Sequence, residues 1–290
     1  MYDVVVVGSA NVDLILPVQR IPRPGETVLA TELSRGPGGK GANQAVAAAR
    51  AGAATGFVAS LGSDESGSLL RDALARAGVD LRLVTTTATP TGTAIITVDS
   101  DGENAITVAP SANAELKLTD ESTAALRAAG VVLAQLEIPF DTVRAAAEAS
   151  RYFVLNAAPA AELDDDLLAH VDLLVVNEHE AAVVGGSDPS ALLRRVPAAV
   201  VTLGGDGALV LRRGADEVRV PGVRVEVVDT TAAGDTFCGV LAAALTAGSD
   251  LTDAVRRANV AASLSVQTAG AIPSVPDGEA IDMRYAEVYR

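Results

Sequence analysis

One strand–helix–strand unit decides the fold class: residues 131–155 read VVLAQLEIPFDTVRAAAEASRYFVL. Its first part, Val131–Leu136, and its last part, Tyr152–Leu155, are short apolar runs of residues that favour strands. Between them, Asp141–Ser150 is an alanine-rich helical pattern. Two buried runs joined by a helix indicate parallel strands in a βαβ unit.

The same alternation recurs along most of the chain. Val4–Val7, Leu173–Val176 and Ala199–Leu203 are further apolar runs, and Pro189–Arg195 is a further helical pattern. Parallel strands that are buried on both faces have such continuous apolar sequences. The sequence therefore predicts an α/β fold with a doubly wound, mostly parallel sheet flanked by helices. Because it contains no repeat and no low-complexity linker, residues 1–290 are predicted to form a single domain.

Two regions interrupt this alternation and predict a small β-sheet lid. One is Thr27–Leu33, and the other is the pair Thr93–Val98 and Glu103–Val108, which Asp101-Gly102 joins as a hairpin turn. The predicted insertions of lid strands span about residues 12–34 and 92–109. Such a sheet is either a flap over a ligand site or a sheet whose exposed edges pair with a second copy of the chain, and both interpretations stay open.

Charge and composition exclude several functions. The chain has 37 acidic and 22 basic residues, a net charge of −15, and no basic cluster that could follow a nucleic-acid backbone. Because the chain is acidic overall, a bound phosphate group would need local binding groups, such as backbone amides at a helix start. The single cysteine, Cys238, fits a reducing cytoplasm, and no apolar stretch of about 18 residues predicts a membrane span.

The segment Asp229–Asp235 predicts an anion site. Small residues come before a helical pattern, so the amides of Ala232 to Asp235 can approach a phosphate group closely. Asp235 would lie in the first helical turn, where the helix dipole should lower the pKa of its carboxyl group. A simple helix cap is the alternative interpretation, and the segment alone does not decide between them.

A second glycine-rich segment, Gly36–Ala45, matches neither known nucleotide loop. It does not follow the first strand, as a dinucleotide fingerprint would, and Lys40 is followed by glycine rather than serine or threonine. Lys40 and Asn43 offer an ammonium group and a carboxamide to polyhydroxyl oxygens. A plain loop that enters a helix is the alternative.

Polar residues also follow two predicted strands. Asn11 and Asp13 come after the first strand, and Glu137 comes after Val131–Leu136. Open α/β folds bind ligands at the carboxyl ends of their strands. Asn11 and Asp13 can bracket neighbouring sugar hydroxyls or form an ordinary Asx turn.

Taken together, these segments resemble the pfkB carbohydrate kinases over nearly the whole chain. The segments that carry the resemblance are Asn11–Asp13, Gly38–Ala45, Gln135–Glu137, Asn177–Glu180, Thr202–Gly207, Asp229–Asp235 and Gly270–Ser274. Each motif is weak alone, but their joint order is specific.

The resemblance implies a role for each site residue. Asp235 would be the catalytic base, with Ala232, Ala233 and Gly234 as the anion hole. The implied sugar contacts are Asn11, Asp13, Gly39, Lys40, Asn43, Glu137 and Asp235. The implied contacts to ATP are Asn177, Thr202, Gly204, Gly207, Gly234 and Asn259. Glu180 would act on Mg²⁺ through water, and the implied K⁺ ligands are Asp229, Thr231, Ser265, Thr268, Gly270 and Ser274.

The resemblance also implies an activity, namely ATP-dependent phosphorylation of a small sugar, with O5 of D-ribose as the expected acceptor. The alternatives are a kinase for another small sugar or a nucleoside, and a sugar-binding protein without turnover. Members of such a family would be expected to form homodimers through the lid strands.

Overall fold

The computed structural model describes residues 1–289, and its thirteen strands form two separate sheets. The strands are β1 (Val4–Val7), β2 (Asn11–Pro17), β3 (Ser34–Gly38), β4 (Thr55–Gly62), β5 (Val84–Thr87), β6 (Gly92–Val98), β7 (Asn104–Ala109), β8 (Val131–Ala134), β9 (Phe153–Asn156), β10 (Leu173–Asn177), β11 (Ala198–Thr202), β12 (Gly207–Arg212) and β13 (Val218–Pro221).

Ten α-helices surround the sheets within the described residues. They are α1 (Lys40–Arg50), α2 (Glu65–Arg76), α3 (Asp120–Ala128), α4 (Phe140–Ala149), α5 (Asp165–Leu168), α6 (Glu178–Gly185), α7 (Ala233–Thr246), α8 (Leu251–Ser265), α9 (Ala271–Ser274) and α10 (Gly278–Tyr289). Short 3₁₀-helices span Ser111–Glu115, Pro189–Arg194 and Gly204–Asp206. No helix within residues 1–289 is long and apolar enough to cross a membrane.

The larger sheet has nine strands in the order β13-β12-β11-β10-β9-β8-β1-β4-β5. The strands from β11 to β5 pair in parallel, and β12 and β13 add an antiparallel edge. Helices cover both faces. In β1, for example, Val4 and Val6 belong to one apolar cluster and Val5 and Val7 to the other. This confirms the predicted doubly wound α/β fold.

The smaller sheet has the order β3-β2-β6-β7. Its central strands β2 and β6 pair in parallel, and β6 and β7 form the predicted hairpin. Only Gly8–Ala10 separate β1 of the large sheet from β2 of the small one. The small sheet is therefore attached directly to the carboxyl end of β1.

The prediction of a lid strand at Thr27–Leu33 is wrong. The structure has no strand there, and Leu29 and Leu33 are 88% and 64% exposed, so neither has a core to pack against. The strand is Ser34–Gly38 instead, in the glycine-rich segment itself. Pro37 is tolerated because β3 is an edge strand, where one side of the backbone needs no partner.

Candidate active site

Helix α7 begins after a residue in an unusual conformation. Ala232 has φ 59° and ψ 15°, the left-handed region, which costs a residue with a Cβ on the order of 1–3 kcal/mol. The Ala233 amide donates to the carbonyl of Thr230 at 3.2 Å. The amides of Gly234 and Asp235 have no acceptor within residues 1–289. Free amides at a helix start form a site for an anion.

Helix α1 holds the carboxylate of Asp235 by both oxygens. Nδ2 of Asn43 donates to Oδ2 at 2.9 Å, and Nε2 of Gln44 donates to Oδ1, also at 2.9 Å. The two helices approach so closely at Gly239 that a Cβ there would collide with the carbonyl of Gln44. The packing of α1 on α7 thus fixes the orientation of the carboxylate.

Burial raises the pKa of the Asp235 carboxyl group, which overturns the expected lowering by the helix dipole. The group keeps some surface toward a cavity, but protein atoms surround it so closely that desolvation is the largest effect. Lys40 and the two amide donors act in the opposite direction and do not restore the usual pKa. A raised pKa makes Asp235 a stronger base than the sequence indicated.

A buried chain of amides supports Asp235 from behind. Besides its bond to Asp235, Nε2 of Gln44 donates to Oδ1 of Asn156 at 3.0 Å, and Oε1 of Gln44 accepts from Nε2 of Gln135 at 2.5 Å. Gln44 and Gln135 are fully buried. None of these three residues has a role that was predicted from the sequence. The one signal was Gln44, a polar residue on the buried face of an alanine-rich helix.

Asn11 and Asp13 lie on β2 as alternate residues, so their side chains share a face of the small sheet. Both are buried. Desolvation, together with the charges of Glu137 and Asp235, raises the pKa of Asp13 to about 7, and Lys40 opposes the rise. The carboxylate of Asp13 has no hydrogen-bond donor within residues 1–289.

Lys40 and Glu137 face each other beside Asn11 and Asp13. Their Nζ and Oε1 atoms are 3.9 Å apart, and Oε2 of Glu137 accepts from the Ser9 hydroxyl at 2.6 Å. Burial alone would lower the pKa of Lys40, but the charges of Asp235 and Glu137 outweigh it and raise the pKa, so the ammonium stays charged. Gly39 precedes α1 with φ 93° and packs against the backbone of Asn11.

We call the next six residues, for which the resemblance implies sugar contacts, the sugar-side cluster. Its members are Asn11, Asp13, Gly39, Lys40, Asn43 and Glu137.

Two adjoining cavities lie on the other side of Asp235. The first, of about 450 Å³, is lined by Thr202, Gly204, Gly207, Gly234 and Asn259, among others. The second, of about 550 Å³, reaches Asp235, and it shares with the first Thr202, Gly204, Thr230, Ala233 and Gly234. The second also includes Lys40, Asn177, Glu180 and Ala232 in its lining. The two cavities therefore adjoin along these shared residues, with Asn259 lining the first and Asp235 the second.

Asn177 and Glu180 cap helix α6 together. Oδ1 of Asn177 accepts from the Glu180 amide, and Oε2 of Glu180 accepts from the Asn177 amide, both at 2.8 Å. Burial raises the pKa of Glu180, and the bond from Asn177 opposes the rise. Glu180 belongs to no metal-binding cluster, since no group of three or more His, Cys, Asp or Glu residues within 1–289 could hold a metal ion.

The residues predicted to hold a monovalent cation are only partly brought together. Oδ1 and Oδ2 of Asp229 accept from the amides of Thr231 and Gly270, each at 2.8 Å. These bonds lower the pKa of Asp229, although burial alone would raise it. The other predicted ligands bond within their own turns: the Ser265 hydroxyl donates to Ala262, the Thr268 amide to Ser265 and the Ser274 hydroxyl to Ala271.

The family of the chain follows from this fold, this site and a direct match. Residues 1–278 match the pfkB family of carbohydrate kinases, and the chain belongs to that family. It is a phosphotransferase that acts on a sugar hydroxyl.

Within the family, the similarity is to ribokinases. The chain is 38% identical to the ribokinase of Bacillus subtilis over 95% of its own length and 97% of the relative. It is 40% identical to the bifunctional ribokinase/ribose-5-phosphate isomerase A of Fructilactobacillus sanfranciscensis, of which it spans 56%. The structure of Arabidopsis thaliana ribokinase complexed with ribose and ATP superimposes with a TM-score of 0.91, 34% identity and 98% coverage of both chains.

Proposed function

We propose that the chain transfers the γ-phosphoryl group of ATP to O5 of D-ribose. The observation that carries the proposal is the position of Asp235, whose carboxylate contacts the sugar-side cluster through Asn43 and also lines the second cavity. A base between an acceptor site and a phosphate site is what phosphoryl transfer to an alcohol requires.

In this reaction Asp235 accepts the proton of the O5 hydroxyl. The bond from O5 to the γ-phosphorus forms while the bond from that phosphorus to the β-γ bridging oxygen breaks, so ADP leaves. The free amides of Gly234 and Asp235 stabilise the charge on the transferred group, together with the ammonium of Lys40. Ala232 contributes by its left-handed backbone, which turns the chain into α7, and Ala233 lines the same cavity.

The sugar-side cluster supplies the contacts to ribose. Asp13 and Glu137 accept hydrogen bonds from hydroxyl groups, and the Lys40 ammonium donates to them. Asn11 and Asn43 supply carboxamides, and Gly39 leaves room at the start of α1. These roles agree with a ligand that is neutral and rich in hydroxyl groups.

ATP occupies the two adjoining cavities beyond Asp235. Asn259 and Gly207 lie in the first cavity, Thr202 and Gly204 in the part that the two cavities share, and Asn177 near the phosphates. Gly234 faces both cavities, as a residue beside the transferred phosphate should.

Two cations complete the proposal. Glu180 suits Mg²⁺, because this ion is held mainly by phosphates and water and needs only one or two carboxylates. The bound Mg²⁺ would neutralise phosphate charge. K⁺ suits a site formed by Asp229, Thr231, Ser265, Thr268, Gly270 and Ser274, since they offer oxygen atoms in two chain segments that the Asp229–Gly270 bond joins. Bound there, K⁺ would neutralise charge beside the loop that leads to α7.

We further propose a homodimer through the small sheet. Strand β7 lies at its edge and is exposed along its whole length, with Ile106 and Val108 open to solvent. An exposed apolar edge strand favours pairing with a second copy. A monomeric mass in light scattering would contradict this. A cytoplasmic location and a single domain over residues 1–290 remain predictions from the sequence.

A panel of acceptors tests the activity directly. ADP release is measured with ATP and D-ribose, 2-deoxy-D-ribose, D-fructose, a deoxy-keto sugar acid or adenosine. The proposal requires the highest kcat/KM with D-ribose. A higher value for adenosine would favour the nucleoside alternative, and no ADP release with any acceptor would favour the protein without turnover.

A further inference from the structure

Asn113 is a buried asparagine at the crossing between the two sheets. It lies in the 3₁₀-helix Ser111–Glu115, shortly after β7, and 1% of its surface is exposed. Its side chain makes three hydrogen bonds, all of them to Ala10 and Asn11, where the chain passes from β1 to β2. The proposed function assigns this residue no role.

The backbone of Ala10 fixes the orientation of the Asn113 amide. The Ala10 N–H donates to Oδ1 of Asn113 at 2.9 Å, and the Ala10 carbonyl accepts from Nδ2 at 3.2 Å. A backbone N–H is always a donor and a carbonyl always an acceptor, so exchanging the oxygen and nitrogen of Asn113 would lose both bonds. Ala10 therefore determines which atom is Nδ2.

The orientation of Asn113 then fixes that of Asn11. Nδ2 of Asn113 donates its second hydrogen to Oδ1 of Asn11 at 2.8 Å. Because Oδ1 of Asn11 must be the acceptor, Nδ2 of Asn11 is turned away from Asn113. Nδ2 has no acceptor within residues 1–289, although Asn11 is only 2% exposed. Nδ2 of Asn11 is therefore free to donate to a ligand hydroxyl.

A glycine leaves room for this pair of side chains. Gly92 of β6 lies opposite Asn11 in the parallel register of the small sheet. A Cβ on Gly92 would collide with both Oδ1 of Asn11 and Nδ2 of Asn113, the two atoms that form the bond. The bond between Asn11 and Asn113 thus depends on the absence of a side chain at position 92.

We propose that Asn113 is a positioning residue that holds Asn11 as a hydrogen-bond donor to one sugar hydroxyl, beside Asp13 as the acceptor from another. This rests on the proposed function, because it takes Asn11 and Asp13 as sugar contacts. Since the two residues alternate on β2, they present a donor and an acceptor side by side. Such a pair favours a ligand with two neighbouring hydroxyl groups. A ligand with a carbonyl or ether oxygen beside Asp13 has no hydrogen to donate to the carboxylate.

A double-mutant cycle tests whether Asn113 acts through Asn11. The variants are Asn11→Ala, Asn113→Ala and the double variant, and the Kd for D-ribose is measured by calorimetry with ADP present, so that no turnover occurs. We expect each single variant to weaken binding by about 5–20-fold. The double variant should bind no more weakly than Asn11→Ala. Two losses that multiply would overturn the proposal.

Thr91→Ala is the matched control for a general loss of structure. Thr91 is buried at the same crossing, and its hydroxyl bonds to the Gly62 amide and to Asp64, not to Asn11. Any effect of Thr91→Ala on D-ribose binding should multiply with that of Asn11→Ala. If Thr91→Ala behaves like Asn113→Ala in the cycle, the coupling is not specific and the proposal fails.

Two further variants keep the test decisive if Asn113→Ala does not fold. Asn113→Asp keeps an acceptor for the Ala10 amide but places an oxygen against Oδ1 of Asn11. Gly92→Ala leaves both asparagines in place but obstructs their bond. Both should lose as much D-ribose affinity as Asn113→Ala would, and binding as tight as in the unaltered chain would contradict the proposal.

Failure of this inference is distinguishable from failure of the proposed function. ADP release by the unaltered chain with D-ribose tests the function alone. If the chain turns over D-ribose and the cycle shows independent effects, only the role of Asn113 is wrong.

Discussion

Gln44 donates to the carboxylate of Asp235 across 2.9 Å, from a position 191 residues earlier in the chain. The same nitrogen also donates to Asn156, so both of its hydrogens are used. Gln135 in turn fixes the orientation of Gln44 by donating to Oε1. The proposed catalytic base is therefore held from within the core, and several expectations depend on this.

Replacing Asp235 by asparagine should abolish the base, at the cost of one of the two hydrogen bonds from Asn43 and Gln44, because an amide nitrogen cannot accept. Asparagine has nearly the same shape but cannot accept the proton, so we expect kcat to fall by at least about 10². Affinity for ADP, measured by calorimetry, should change little because the cavity lining is preserved. An Asp235→Asn variant with unreduced turnover would rule out Asp235 as the base.

Replacing Gln44 by methionine should shift the pH dependence of catalysis. The variant removes one donor to the Asp235 carboxylate, and the loss of that hydrogen bond raises the pKa of the group further. Because the base must be ionised, the acidic limb of kcat/KM should move to higher pH.

Gln135→Met is the control for the Gln44 variant. It breaks the bond between the two glutamines and has a similar size, but it leaves both donors to Asp235 in place. The acidic limb of its kcat/KM profile should stay closer to that of the unaltered chain. An equal shift of the acidic limb in both variants would show that the loss of the Gln44 donor is not the cause of the shift.

Asp13 should make the ligand-free protein less stable as the pH rises. Its pKa is raised to about 7, so the folded state binds a proton more tightly than the unfolded state does. Stability from this group is full below about pH 4 and is lost as the pH approaches 7, by up to about 4 kcal/mol. Asp13→Asn should therefore melt at a higher temperature than the unaltered chain at pH 8, with a smaller difference at pH 5.

The exposed Asp216→Asn is the matched control for this measurement. It removes the same charge far from the sugar-side cluster and should leave the difference between the two pH values unchanged. If Asp13→Asn gains no stability at pH 8, the carboxylate is not destabilised by burial.

Replacing Ala232 by glycine should relieve backbone strain. Glycine adopts φ near 59° without a Cβ penalty, so the usual loss of about 0.5–1 kcal/mol for alanine to glycine should be absent or reversed. Ala182→Gly, at an exposed position of α6, should show the usual loss. Denaturant unfolding compares the two, and equal losses would contradict the left-handed conformation.

Exchange of K⁺ for Na⁺ tests the proposed cation loop. If a monovalent cation orders the segment between Asp229 and α7, turnover should be higher in K⁺ than in Na⁺ at equal ionic strength. Choline at the same concentration controls for screening. Indifference to all three cations would remove this site from the proposal.

Most of the fold could be predicted from local sequence. Apolar runs such as Val4–Val7 are long enough and β-branched enough to identify buried strands, and the hairpin of β6 and β7 has a clear turn signal. Thr27–Leu33 has similar residues but no partner surface, and only tertiary packing reveals that.

Candidate site residues could be identified from the sequence where residue type alone is informative. Asp235 and Lys40 stand out in small-residue segments. The pKa of Asp235 was predicted in the wrong direction because the helix dipole is a local property, whereas burial comes from α1, far away in the sequence. The roles of Gln44 and Asn113 depend on partners that no spacing in the sequence indicates.

The short link Gly8–Ala10 has a kinetic consequence. Asn11 and Asp13 belong to β2 of the small sheet, so both side chains move with this sheet whenever it turns about the three-residue link. If the small sheet opens as a lid, the two proposed sugar contacts would be lost in the same movement. We expect the dissociation rate of the phosphorylated product to be limited by how often the small sheet swings away from the large one.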